Sequence, residues 1–230
     1  MVTNERTFTP LREVAPSILA AWDAPATPPR AVLVLAHGAG GDHRAELLAG
    51  LARRLAARGV AVARFDFAYR AAGKKLPAPM TSLIPEYAAV VREVAQRAPG
   101  VPVFIGGKSM GGRAATHLAT TSDGAGIRGI VLLGYPLHPA GKPSMLRDAH
   151  LPDVTIPMLF VQGTRDALCD LELLRPVLSR CGGRATLHVL EDGDHGLEVR
   201  KKFTGRSKAD AWDEVERVVA AFVDGALRIA

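Results

Sequence analysis

From about residue 30 onward, hydrophobic residues fall into two kinds of run that alternate along the chain. Short Val/Leu/Ile-rich runs without strict polar alternation read as strands buried on both faces. They are RAVLVLAHG (30–38), VAVARFDF (60–67), PVFIGG (102–107), IRGIVLLGYP (127–136), IPMLFVQG (156–163) and ATLHVLEDG (185–193). Longer runs with helical spacing separate them: 43–59 with Gly59 as its C-cap, 81–100 with Pro85 in its first turn, 110–121, 170–181 and 208–227. On the last of these Trp212, Val215, Val219 and Phe222 share one apolar side. Strands and helices in alternation predict an α/β fold, a mostly parallel central sheet with helices on both faces. Ahead of Ala31, one or two edge strands are expected around SILAAW (17–22). No internal repeat or linker interrupts the pattern, so residues 1–230 read as one domain.

Most of the candidate chemistry falls at strand ends. VPVFIGGKSMGG (101–112) contains both GKS, the end of a phosphate-binding loop, and G-x-S-x-G, a turn that carries a nucleophilic serine. The phosphate loop would need a glycine where Pro102 stands. Proline has no N–H to offer a phosphate, and this one lies inside a strand run. Gly107-Lys108-Ser109-Met110-Gly111 fits the other motif without repair, between a strand run and a helix run. Glycines at 107 and 111 relieve the crowding of so tight a turn, and the Met110 N–H faces any oxyanion formed at Ser109.

Such a serine requires an acid and a histidine later in the chain, each following a strand. Asp166 follows MLFVQG, and His195 follows the last strand run. Asp192 and Asp194 stand too close to His195 to orient its ring, and Asp170 reads as a helix cap. The second oxyanion donor is expected in LAHGAGGDHR, at Ala39 with Gly40 as the next choice; His37 there reads as a loop anchor. Gly40, Tyr69, Arg70 and Lys108 are candidate substrate-binding residues.

Composition narrows the class. With 230 residues, 48% of them hydrophobic, the chain can bury one sizeable core. The net charge of +6 comes without zinc-finger, basic-zipper or aromatic RNA-binding signatures, so no nucleic-acid partner is expected. The longest apolar runs are too short to span a bilayer, and MVTNERTFTP lacks the apolar stretch of a secretory signal. A cytoplasmic protein is expected. Cys169 and Cys181 flank one helix run and belong to no metal-ligand pattern. No metal or cofactor is expected. The densest basic run, EVRKKFTGRSK (198–208), is read as a solvated loop; alternatively it favours an anionic substrate or forms a protein-partner surface.

HGAGG, GKSMGG, GTRD and GDHG stand where alpha/beta hydrolases carry their oxyanion loop, nucleophile, acid and histidine, and from about residue 30 the chain resembles that superfamily. It is similar to small dienelactone-hydrolase-like proteins and closer to a branch with testis-expressed and chromatin-complex-associated members. The resemblance implies an eight-stranded sheet, antiparallel only near its start, and a Ser109-His195-Asp166 site. Dienelactone hydrolases typically carry cysteine where Ser109 stands, so their ring-opening specificity is not implied. The short 136–154 connection leaves no room for a full cap. The expected function is hydrolysis of a small or extended carboxylic ester or thioester through an acyl-enzyme. The alternative is a non-catalytic interaction scaffold that keeps the fold.

Overall fold

The computed structural model describes residues 6–7 and 20–228. Its sheet has eight strands: β1 Arg6–Thr7, β2 Ala20–Asp23, β3 Ala31–Ala36, β4 Val60–Phe65, β5 Val103–Lys108, β6 Ile127–Leu133, β7 Met158–Gly163 and β8 Ala185–Leu190. The spatial order is β1-β2-β4-β3-β5-β6-β7-β8. β1 and β2 pair antiparallel, as do β2 and β4, and every other pairing is parallel. The edge strand expected around residues 17–22 is therefore β2, its first three residues lying outside the described ones.

The absence of polar alternation in the strand runs has a direct cause. Val32, Val34 and Ala36 pack into one apolar layer, while Ala31, Leu33 and Leu35 pack into the other. Helices α1 (Glu46–Ala57) and α7 (Lys208–Arg228) cover the second layer. The short α2 (Ala68–Ala71), with α3 (Met80–Arg97), α4 (Met110–Ala119) and α5 (Leu171–Ser179), covers the first. Another short helix, α6 (Lys201–Thr204), lies on the surface and buries none of its residues.

Some helix starts differ from the sequence expectation; α1, read from 43, begins at Glu46. α3 begins at Met80, so Pro85 is its sixth residue rather than part of its first turn. The chain instead enters the helix at Pro79, whose carbonyl accepts from the N–H groups of Ser82 and Leu83. Gly59 follows α1 at φ 81°, the left-handed conformation that ends a helix cheaply only at glycine.

The chain runs from β3 outward to β4, then returns across β3 to β5 and continues the other way. Such a reversal splays the loops that leave the carboxyl ends of the two inner strands and opens a crevice between them. Here those loops are 37–45 and the turn at Ser109. The 134–157 connection carries only one 3-10 turn, Leu151–Asp153, and no cap domain. Among the described residues no helix is long and apolar enough to cross a membrane.

Candidate active site

β5 ends at Lys108 and α4 begins at Met110, so Ser109 alone makes the turn between them. Its backbone sits at φ 51°, ψ −113°, a region that costs a non-glycine residue about 1–3 kcal/mol. The surroundings hold it there. Its N–H donates to Leu133 O at 3.1 Å, and its carbonyl accepts from Arg113 N at 3.1 Å. A Cβ at Gly107 would lie 2.5 Å from Ala36 O and 2.7 Å from Gly111 C. One at Gly111 would lie 2.5 Å from Ala36 O and 2.7 Å from His37 O. Both glycines are thus demanded by close backbone approach, the crowding that the motif predicts.

The segments after β7 and β8 are laced together. Arg165 N donates to Gly193 O at 2.8 Å, Thr164 N to Leu190 O at 3.2 Å, and Asp192 N to Thr164 Oγ1 at 2.9 Å. This brings His195 onto Asp166: its Nδ1 lies 2.9 Å and 2.8 Å from the two carboxylate oxygens. The Asp166 side chain is fully buried, whereas that of His195 is 31% exposed. Asp166 also accepts from Leu168 N at 2.8 Å and from Gln162 Nε2 at 2.6 Å. With Nδ1 donating to the carboxylate, Nε2 of His195 is left as a proton acceptor.

Gln162 escaped the sequence reading. It is completely buried in β7, and its Oε1 accepts from Tyr135 N at 2.8 Å, so its amide can only turn Nε2 toward Asp166. The available signal was a lone polar residue in the apolar run MLFVQG, four residues before the acid. The competing acids take other places. Asp170 caps α5 by accepting from Glu172 N at 2.8 Å. Asp192 is engaged by Arg200 and Arg165. Asp194 Oδ1 accepts from Gly196 N and Glu198 N, shaping the loop that bears His195.

Loop 37–45 is braced from beneath. His37 is buried; its Nδ1 lies 2.7 Å from Gly38 O and its Nε2 accepts from Phe67 N at 3.2 Å. Burial lowers its pKa, in keeping with a neutral anchor. Tyr69 donates its hydroxyl to Ala39 O at 3.0 Å, and Arg70 pairs with Asp42 at 3.7 Å. Neither lines the cleft that holds Ser109; both contact the glycine loop from its far side. Among the described residues the N–H groups of Ala39 and Met110 donate to no turn or loop carbonyl.

That cleft has a volume of about 480 Å³. Ser109, His195, Ala39 and Gly40 all line it, with Leu48, Leu168 and Trp212 as apolar wall, and none of residues 136–154 takes part. Glu46 and Glu198 also line it, and Lys208 Nζ bridges the two at 2.6 Å and 2.9 Å. Much of the basic run is thereby tied down: Arg200 holds Asp192 and Arg206 holds Glu214, while Lys201 and Lys202 stay exposed. Lys108 lines the cleft as well, and burial pulls its ammonium down to about 8, against the opposing pull of Asp166 and Asp194. Cys169 and Cys181 are buried free thiols. Among the described residues no three His, Cys, Asp or Glu side chains are gathered as a metal site.

A serine on a strained strand-to-helix turn, sharing a cleft with a carboxylate-held imidazole, defines a class of hydrolytic folds rather than a single enzyme. A family model described as an alpha/beta hydrolase domain matches residues 29–224, and the chain belongs to that family. Its fold is similar to a highly thermostable carboxyl esterase from Bacillus coagulans, with TM-score 0.75, 16% identity, and coverage of 98% of this chain and 99% of that one. It is also similar to a dienelactone hydrolase from Anabaena variabilis, with TM-score 0.71, 18% identity, and coverage of 96% and 95%. A third likeness is to an alpha/beta serine hydrolase without lid from Xanthomonas campestris, with TM-score 0.68, 19% identity, and coverage of 96% and 94%.

Proposed function

We propose that this protein is a serine hydrolase that cleaves a small or extended carboxylic ester or thioester. The observation that carries the reading is the His195–Asp166 pair sharing one cleft with Ser109 on its strained turn. Asp166 holds the imidazole with Nδ1 protonated. Nε2 takes the proton of Ser109 as its Oγ bonds to the substrate carbonyl carbon, and the N–H groups of Met110 and Ala39 receive the charge on the carbonyl oxygen. Collapse breaks the bond to the alcohol or thiol, which leaves with the proton from His195. Water then attacks the acyl-serine, giving up its proton to His195, and the acid is released as that proton returns to Ser109.

The cleft suggests the substrate. No part of the 136–154 connection roofs it, so an open site for a short or extended ester fits better than a tunnel for a long acyl chain. Its charged lining residues are Glu46, Glu198 and Lys108, and Lys208 bridges the two glutamates, so the carboxylates are balanced and the lining selects no charge on the ester. The motifs HGAGG, GKSMGG, GTRD and GDHG stand where alpha/beta hydrolases carry their site, and placement in the small dienelactone-hydrolase-like, testis-expressed-protein-like branch rests on overall resemblance.

The test is labelling with a fluorophosphonate probe. Wild type is expected to label, and Ser109→Ala and His195→Ala to lose labelling, with turnover of p-nitrophenyl acetate falling by about three orders of magnitude or more. A folded wild type that stays unlabelled would reject the mechanism and favour the scaffold alternative.

A further inference from the structure

Lys108 is the last residue of β5 and immediately precedes Ser109. Its side chain is largely withdrawn from solvent, yet among the described residues its ammonium forms no direct hydrogen bond or ion pair; Asp166 and Asp194 act on it through space. Gly134, just beyond β6, shows where that ammonium lies. A Cβ built there would sit 3.0 Å from Lys108 Nζ, 3.1 Å from His195 O and 3.5 Å from Asp166 Oδ2. One small region beside Gly134 thus gathers the cation of the serine strand, the carboxylate of the acid and the backbone of the base. Gly134, at φ 61°, keeps it free of any side chain of its own.

We infer that Lys108 is a positioning residue that sets the protonation of His195, an inference that rests on the serine-hydrolase reading above. The argument is one of charge. His195 is paired with Asp166 and follows Asp194 in the chain, and the cleft it lines is also lined by Glu198 and Glu46, with Lys208 between them. Carboxylates stabilise an imidazolium, and an imidazole that already carries two protons cannot take one from serine. Lys208 is occupied by the two glutamates. Lys108 is a cation on which both Asp166 and Asp194 act, and its positive charge opposes the stabilisation that theirs gives an imidazolium. Lys108 needs no contact with substrate for this; it acts through His195.

Two variants of opposite sign test the inference. Lys108→Met keeps the unbranched apolar stem, one atom shorter, and removes the charge. Asp194→Asn keeps the Oδ1 that accepts from Gly196 and Glu198 and removes a carboxylate. Two readouts are taken on each: the NMR titration of the His195 ring, and the pH dependence of the fluorophosphonate labelling rate. In Lys108→Met both the ring midpoint and the acidic limb of the rate profile are expected to move up by about 0.5–1 pH unit. At pH 6 the labelling rate then drops about 3- to 10-fold. In Asp194→Asn both should move down. Because burial makes the Lys108 charge unfavourable to the fold, Lys108→Met should melt no lower than wild type.

A ring midpoint that stays in place in Lys108→Met, in a protein that still labels, overturns the role of Lys108 and leaves the hydrolase reading intact. Ring midpoints that move as expected in a protein that never labels leave the electrostatic role standing and remove the hydrolase reading. A slower Lys108→Met with an unmoved limb and a lowered melting point would make Lys108 merely structural and also overturn the inference.

Discussion

At the residue scale, the phenol of Tyr87 shows how closely the serine strand is held. From α3 its hydroxyl reaches β3 and β5, lying 2.7 Å from Val34 O and 2.5 Å from Gly106 O while accepting from Gly106 N at 2.9 Å. Burial pushes its pKa far up, so it stays a neutral donor. Tyr87→Phe leaves these groups short of a partner where water does not reach. A loss of about 1–3 kcal/mol is expected, read as a lower urea midpoint at unchanged slope. An unchanged midpoint would mean that the strands satisfy those groups without the phenol. The same scale explains what could be read of the site from the chain. Ser109, Asp166 and His195 stand just past the end of a strand run, where a short motif and a counted order suffice to find them. Gln162 bonds the acid and Lys108 acts on it through space only because β5, β6 and β7 lie side by side, and no spacing along the chain encodes that.

At the element scale, α3 carries a proline it does not need. Pro85 is exposed and stands one turn and more into the helix, where its ring denies Thr81 O the usual N–H partner. Pro85→Ala is expected to raise stability by about 1–3 kcal/mol, lessened by the greater freedom of the unfolded chain. Thermal melting checks this, and a lower melting point would show that the proline is fitted to its place. Helix and strand identities were legible because apolar spacing is a local property. The start of α3 was not: the sequence places it at 81, but Pro79 forms a usable N-terminal turn, so the helix begins one residue earlier. The short α2 and α6 went unread because four residues carry no periodicity.

At the scale of the whole molecule, acid is expected to loosen the fold through one contact in particular. The 134–157 connection folds back on α4, where His150 stacks on His117 with ring centroids 3.6 Å apart and lies 2.8 Å from Thr116 Oγ1. Burial, then His117 and Arg113, pull His150 down to about 4, with Asp148 opposing; burial and Arg113 also lower His117. A histidine whose pKa is lower folded than unfolded takes up its proton more readily in the unfolded chain. The stability it contributes is therefore full above about 6.5 and is lost as pH falls toward 4. Melting temperature should decline over that window in wild type and decline less in His150→Gln. Parallel pH profiles would assign the acid sensitivity to other groups.

The chain by itself determined the layered α/β architecture, because residues that alternate between two apolar layers must all be apolar and the helices between them must each carry one apolar face. It also determined the turn at Ser109, because only glycine at 107 and 111 permits two backbones to come so close. Tertiary structure alone decided what converges on that turn. Lacing the loops after β7 and β8 puts His195 on Asp166 and turns Gln162 toward the same carboxylate. The space that Gly134 leaves open beyond β6 brings the Lys108 charge near that carboxylate, and pairing within the fold ties down most of a basic run that on paper looked free. Charges and hydrogen bonds act through distances in space, and residues from five strands and the loops beyond them acquire those distances only when the sheet is assembled.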